Sequence, residues 1–78
     1  MKEKPREGET PQEKFKRLAT HRTNTILKDL RILGNLSNPN VYVYKAEDVG
    51  KIFSEIENYT REVKAKFQNH KQRREFKL

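Results

Sequence analysis

One helix-breaking segment, residues 34–40 with the sequence GNLSNPN, divides the chain into two long segments. Pro39 lacks the backbone N–H that a helix interior needs and biases Asn38 toward extended geometry, so a single helix cannot run through this segment. On either side of it, apolar residues recur at steps of three and four, the spacing of one face of an α-helix. The sequence therefore predicts an all-α fold with two helices, at residues 11–36 and 46–67.

The first predicted helix begins at a capping box. The Thr10 hydroxyl can accept a hydrogen bond from the backbone N–H of Glu13, whose carboxylate can bond back, and Pro11 takes the first helical position. Residues 1–10 contain no aliphatic side chain after Met1, and their charges cancel. We therefore expect residues 1–10 to form a disordered, solvated arm.

The connection between the helices combines a helix end with an extended stretch. Leu33 and Leu36 continue the apolar face past Gly34, so we expect Gly34 to lie inside the last turn. Residues 41–44, VYVY, alternate as in a β-strand but are too few for a sheet. We predict an extended strap at residues 37–45, whose two tyrosines either cap a hairpin or stack on nucleic-acid bases.

The second predicted helix begins near Ala46, with two carboxylates in its first turn that suit the helix dipole. Its apolar residues alternate steps of three and four and so form a heptad seam: Val49, Ile52, Ile56, Tyr59 and Val63. Beyond Phe67 no apolar residue occurs until Phe76. We therefore predict that the helix ends near Phe67 and that residues 68–78 form a basic tail.

The chain has little material for a core of its own. Of its 78 residues, 32% are hydrophobic and 37% are charged, and cysteine is absent. Chains of this size usually need disulfides, a metal or a partner chain for stability, and without cysteine the partner chain is the main route left. We expect an antiparallel helical hairpin that pairs with a second copy into a four-helix bundle, a homodimer.

Two charged residues interrupt the apolar back of the first helix. Arg22 lies on that side, and Asp29 follows it two turns later. An isolated buried charge is costly, so Arg22 needs a partner, for which Glu55, Glu62 and the Asp29 of a second subunit are all candidates. We interpret Arg22 and Asp29 as a structural polar layer that sets the register between helices, with a functional Arg22 as the alternative.

The first helix carries a cationic stripe opposite its apolar back. Six residues spaced three or four apart fall within a sector of about 100°, and none of them is apolar. They are Lys14, Arg17, His21, Asn24, Lys28 and Arg31. The charge of +7 is clustered, because residues 11–36 hold six cations and two anions, residues 68–78 hold four cations and one anion, and residues 1–10 and 37–67 are each neutral.

Clustered cations on one helix face predict a polyanionic partner. Lys and Arg contacts to phosphate supply affinity without reading sequence, so we predict a small nucleic-acid-binding or regulatory accessory protein. The cationic stripe would make the contacts, and Arg73 and Arg74 of the tail would assist. RNA and DNA are both possible targets. The alternatives are a phage or plasmid adaptor or inhibitor that docks on an acidic protein surface, an oligomeric binder of small anions, and an ordinary solvated helix face.

No motif supports catalysis or cofactor binding. The chain has three glycines but no glycine-rich phosphate loop, and its two histidines lack neighbours at metal-ligand spacing. We predict that it is not an enzyme and holds no metal or cofactor. No apolar run approaches the ~20 residues of a membrane span. Together with the absence of cysteine and of a signal peptide, this favours a cytoplasmic protein that does not enter a membrane.

A block in the middle of the chain resembles a known pattern. It consists of a Leu-Gly-Asn-Leu-Ser-Asn turn at 33–38, then Asn40, Tyr42 and Tyr44, then Asp-Val-x-Lys-Ile-Phe at 48–53, with Arg22 and Asn24 fitting upstream. The block is similar to that of a family of small, poorly characterised helical-hairpin proteins from bacterial, archaeal, plasmid and phage sequences. The resemblance covers residues 15–67 and implies a two-helix unit but no particular activity. Where the family usually has a capping Thr, this chain has Lys45.

By architecture, the predicted dimer is also similar to the Rop-type regulators of plasmid RNA. Those proteins are helical hairpins that dimerise into four-helix bundles and bind RNA loops with one helix face. The chain contains no Rop sequence motif, and its connection between helices is longer. This analogy therefore concerns the fold alone.

Overall fold

The computed structural model describes the backbone of residues 8–73 and the side chains of residues 8–69. Within this range, helix α1 spans Pro11–Gly34, a 3₁₀ turn follows at Asn35–Ser37, and helix α2 spans Ala46–Arg73. The described residues contain no β-strand. The chain divides between Tyr42 and Val43 into two units, one built on α1 and the other on α2. The predicted all-α class with two helices is confirmed.

The start of α1 is the predicted capping box. The backbone N–H of Glu13 donates to Thr10 Oγ1 at 3.1 Å, and the backbone N–H of Thr10 donates to Glu13 Oε1 at 3.0 Å. Thr10 has extended backbone angles, φ −78° and ψ 161°, and Pro11 follows in the first turn. These bonds satisfy N–H groups that have no partner within the helix. The prediction of this helix start is confirmed.

The end of α1 passes smoothly into the 3₁₀ turn. Gly34 keeps helical backbone angles, φ −62° and ψ −24°, as expected for a residue inside the last turn. Leu36, which the sequence placed at the end of the α-helix, lies in the 3₁₀ turn instead. Asn38 then becomes extended, with φ −71° and ψ 108°, which is the geometry that a following proline imposes.

The predicted extended strap at residues 37–45 is only partly extended, because Asn38 organises a turn. The Asn38 carbonyl accepts the backbone N–H groups of Val41 at 3.1 Å and Tyr42 at 3.0 Å. Its side-chain Oδ1 accepts the backbone N–H of Asn40 at 3.0 Å. An asparagine side chain can mimic a backbone turn in this way. Ser37 belongs to the 3₁₀ turn, residues 39–41 form the turn after Asn38, and Asn38 and residues 42–45 are outside any helix or turn.

Helix α2 begins where the sequence predicts and ends later. The Lys45 carbonyl accepts the backbone N–H groups of Asp48 and Val49, both at 3.1 Å, so the first turn forms at Ala46. The helix continues to Arg73, beyond the predicted end at Phe67. Residues 68–73, QNHKQR, contain neither Gly nor Pro, and Gln, Lys and Arg favour helix. A lack of apolar residues removes packing partners from a helix but does not stop its propagation.

Both helices keep their apolar faces accessible to solvent. No side chain in the described part of the chain is buried. Leu18, Ala19 and Leu33 on α1 and Val49, Ile56 and Ala65 on α2 are half-buried, while the other described apolar side chains of the two helices are exposed. Neither described helix combines the length and the apolar content needed to cross a bilayer.

Candidate nucleic-acid interface

All six residues of the cationic stripe lie on α1. From Lys14 to Arg31 the stripe is about 26 Å long at 1.5 Å of rise per residue. Lys14 and Arg17 are half-buried, and the other four residues are exposed. The helix periodicity alone brings these side chains onto one face, which is why the sequence predicts the arrangement.

Arg17 differs from the other cations because it is bonded to a carboxylate. Its Nε donates to Glu9 Oε2 at 2.9 Å, and its Nη2 donates to Glu9 Oε1 at 3.0 Å. The Glu9 side chain is 10% exposed and the Arg17 side chain 26%. Helical side chains lean toward the helix N-terminus, which is the end where Arg17 meets Glu9. Two parallel bonds of this kind form the strongest type of arginine–carboxylate contact.

The ion pair corrects two expectations from the sequence. The sequence predicts Glu9 in a disordered arm, whereas in the structure Glu9 and Thr10 are bonded to α1; residues 1–7 of the arm lie outside the described residues. Gly8 precedes the pair with φ 79°, a left-handed conformation, and Thr10 caps the helix immediately after it. The cationic stripe also has an anion at its N-terminal end, so Arg17 presents less net charge than Lys28 or Arg31.

Three other cations of the stripe, Lys14, Lys28 and Arg31, take part in no ion pair among the residues that the structure describes. Lys28 and Arg31 are neighbours on successive turns, and Arg31 lies in the last turn of α1, where the helix dipole favours a cation. Between these ends of the stripe, the exposed side chains of His21 and Asn24 can supply hydrogen bonds to an oxygen-rich ligand.

Arg22 and Asp29 lie on the opposite side of α1 from the stripe, as predicted, and both are exposed. Asp29 takes part in no ion pair within the described range. The polar layer that these two residues would form between helices stays a prediction. Of the tail residues assigned to phosphate contact, Arg73 ends α2 with its side chain outside the described range, and Arg74 lies wholly outside it.

A shallow concavity of about 370 Å³ lies on α2. Its lining comprises Glu55, Asn58, Tyr59, Arg61, Glu62 and Ala65. The one cation there, Arg61, donates from Nη1 to Asn58 Oδ1 at 2.9 Å, and two carboxylates stand beside it. This lining does not favour a small anion. No group of three or more His, Cys, Asp or Glu side chains in the described range could hold a metal ion.

The chain matches no protein-family model, no curated protein and no solved structure. The resemblance to small helical-hairpin proteins therefore stays a prediction. The residue of the candidate site that the sequence reasoning missed is Glu9. It bonds Arg17 from the segment that enters the helix cap, and no regular spacing in the sequence signals such a contact.

Proposed function

We propose that the protein is a small nucleic-acid-binding or regulatory accessory protein that contacts phosphates through the cationic stripe of α1. One observation carries the proposal: Lys14, Lys28 and Arg31 lie on one helix face without a carboxylate partner among the described residues. A chain with net charge +7 adds a long-range attraction for a polyanion to these local contacts.

The expected chemistry is electrostatic and independent of base sequence. Each Lys or Arg that neutralises a phosphate releases a bound counterion, which makes the affinity fall as salt rises. Lysine acts as a point charge, and arginine can donate two bonds to one phosphate. His21 and Asn24 would add neutral hydrogen bonds to phosphate or sugar oxygens. Contacts of this type hold a nucleic acid in place without reading its bases.

We infer that the two helices form an antiparallel hairpin and that two copies pair into a four-helix bundle. The heptad seam of α2, the apolar back of α1 and the absence of a buried side chain in the described range support this arrangement. A bundle would cover both apolar faces and leave the cationic stripe outside, because the stripe lies opposite the apolar back.

Docking on an acidic protein surface is a second candidate function, and the Glu9–Arg17 pair favours it. This face of α1 already binds one carboxylate through two hydrogen bonds. A partner protein with clustered Asp and Glu side chains could bind Lys28 and Arg31 in the same manner. Such a module would bind little nucleic acid even at low salt.

The test compares two charge-reversal variants that change the net charge equally. One carries Lys28→Glu and Arg31→Glu on the stripe, and the control carries Lys51→Glu and Lys64→Glu on exposed positions of α2. Binding of labelled RNA hairpin, duplex DNA and single-stranded DNA is measured over a salt series. We expect the stripe variant to bind at least tenfold more weakly, with a slope of log K against log salt shallower by about two.

The control variant should retain most of the affinity, and circular dichroism should show equal helix content in all three proteins. Equal losses in both variants would mean that net charge, and not the stripe, governs binding. If the natural chain binds none of the three polymers at low salt, the nucleic-acid proposal is wrong, and the acidic protein surface becomes the function to test.

A further inference from the structure

A second face of α1 has a residue pattern that is complementary to its own reversal, because reversal sets apolar residues against apolar residues and the cation against the anion. Six of its residues fall within a sector of about 60°, in the order apolar, apolar, cation, anion, apolar, apolar. They are Phe15, Leu18, Arg22, Asp29, Leu33 and Leu36. Each residue and its counterpart lie equally far from the midpoint between Thr25 and Ile26. We call these six residues the palindromic face.

The palindromic face is accessible over its whole length. Phe15 is 55% exposed and Leu36 is 48% exposed, Leu18 and Leu33 are half-buried, and the two charged residues are exposed. Leu36 belongs to this face because the 3₁₀ turn continues α1 without a break. Accessible apolar side chains at both ends of one helix face favour a surface that another molecule covers.

We propose that the palindromic face binds a second copy of this chain through an antiparallel contact between the two α1 helices. In this register Arg22 of each chain lies beside the partner's Asp29. Phe15 then packs against the partner's Leu36, and Leu18 against the partner's Leu33. The occupant is a second copy because the face is complementary to its own reversal in both charge and apolar character. The contact is isologous, the arrangement expected of a homodimer with a two-fold axis.

The charges exclude the competing arrangements. A parallel pair of α1 helices would set Arg22 against the partner's Arg22 and Asp29 against the partner's Asp29. An antiparallel pair shifted by one turn would set each charge against an uncharged side chain, so both ion pairs between the chains would be lost. In the proposed register the two ion pairs are about 10 Å apart along the helix axis, and the whole contact is about 32 Å long.

The two-fold axis also determines where the cationic stripes lie. The two-fold axis is perpendicular to the plane that contains the two antiparallel helix axes. A surface that lies above this plane in one chain therefore also lies above it in the other chain. The stripe is centred about 120° from the palindromic face around α1. Both stripes therefore lie on the same side of the helix pair and form one basic surface. The contact itself concerns only the dimer and does not depend on the nucleic-acid proposal.

The first test uses charge reversal in two single variants, Arg22→Asp and Asp29→Arg. Each variant alone would set like charges against each other twice in the proposed register. We expect each to dimerise at least tenfold more weakly than the natural chain in sedimentation equilibrium. An equimolar mixture of the two should form a heterodimer, because every contact between the chains then joins opposite charges. The double variant, with both changes in one chain, should dimerise by itself.

The outcomes of this test are decisive without any nucleic acid present. A monomeric natural chain, single variants that dimerise as well as the natural chain, or a mixture that stays dissociated would each overturn the proposal. Helix content by circular dichroism identifies a variant that fails to fold. The variant with Lys28→Glu and Arg31→Glu, in contrast, should lose polyanion binding and still dimerise. Failure of the nucleic-acid proposal can therefore be distinguished from failure of the dimer proposal.

A second test determines the register between the two α1 helices and leaves the charged residues unchanged. The chain has no cysteine, so Phe15→Cys and Leu36→Cys each introduce a single thiol. Disulfides form only between Cα atoms within about 7 Å. We expect efficient oxidation to a cross-linked dimer when the two variants are mixed, and little cross-linking of either variant alone. Cross-linking of Phe15→Cys with itself at equal efficiency would show a parallel contact and overturn the proposal.

Discussion

At the scale of single residues, the main finding is that one carboxylate limits the charge of the cationic stripe. Glu9 accepts two hydrogen bonds from Arg17, and its side chain is only 10% exposed. A phosphate that approaches this end of the stripe would have to compete with Glu9. Among the described residues, Lys28 and Arg31 at the other end take part in no ion pair, so we expect them to bind phosphate more strongly than Arg17.

Replacement of Glu9 by Gln should increase polyanion binding. The change removes the negative charge beside Arg17, so the affinity at low salt should rise several-fold, and the slope of log K against log salt should steepen by about one. The control is Glu57→Gln, which alters the net charge equally on an exposed position of α2. Salt-dependent binding of duplex DNA and RNA measures both. Identical curves for the two variants would contradict a specific role of Glu9.

At the scale of secondary-structure elements, the two units contain glycines in different backbone conformations. Gly8 has φ 79°, a conformation that residues with a Cβ atom rarely adopt, and it lies directly before Glu9. Gly50 lies inside α2, and a Cβ atom built there would meet nothing within 4 Å. The left-handed backbone at the first position favours glycine, whereas the second glycine only weakens a helix.

Substitution of these glycines by alanine should have opposite effects on stability. Gly50→Ala should raise the free energy of unfolding by about 1 kcal/mol, because alanine has the higher helix propensity. Gly8→Ala should lower it by about 1 kcal/mol, through left-handed strain and a weakened ion pair. Urea unfolding at one fixed protein concentration measures both changes. A destabilising Gly50→Ala would mean that another helix packs closely against that side of α2.

At the scale of the whole molecule, the two units carry amphipathic helices whose apolar faces stay accessible. Phe53, Tyr59 and Val63 on α2 are 44%, 62% and 48% exposed. Burial of apolar area is the dominant favourable term in folding, so these faces are the largest remaining source of stability. Association of chains would supply that burial, which is the physical basis of the proposed bundle.

Ile56→Asp should dissociate the proposed dimer. Ile56 lies in the middle of the heptad seam, and a carboxylate there would be buried without a partner on association. The matched control is Ser54→Asp, which introduces the same charge on an exposed position of α2 away from the seam. Sedimentation equilibrium should give the mass of one chain for Ile56→Asp and of two for the control. A dimeric Ile56→Asp protein with full helix content would rule out burial of this seam.

The sequence by itself determined the features that depend on neighbours along the chain. The capping box at Thr10, the helical Gly34, the start of α2 at Ala46 and the cationic face of α1 all follow from residue spacing and backbone geometry. A helix places residues three and four apart on one side regardless of its surroundings, so such faces can be read directly from a sequence.

Only the tertiary structure revealed the side-chain contacts between groups that are not separated by a regular spacing in the sequence. Glu9 reaches Arg17 from the chain segment that enters α1 through the extended cap residue Thr10. The Asn38 side chain replaced the start of the predicted strap by a turn, because it bonds the Asn40 backbone. Both contacts depend on a few backbone angles and side-chain rotamers outside the helices. In such segments the chain has many conformations of similar energy, and the sequence pattern favours none of them.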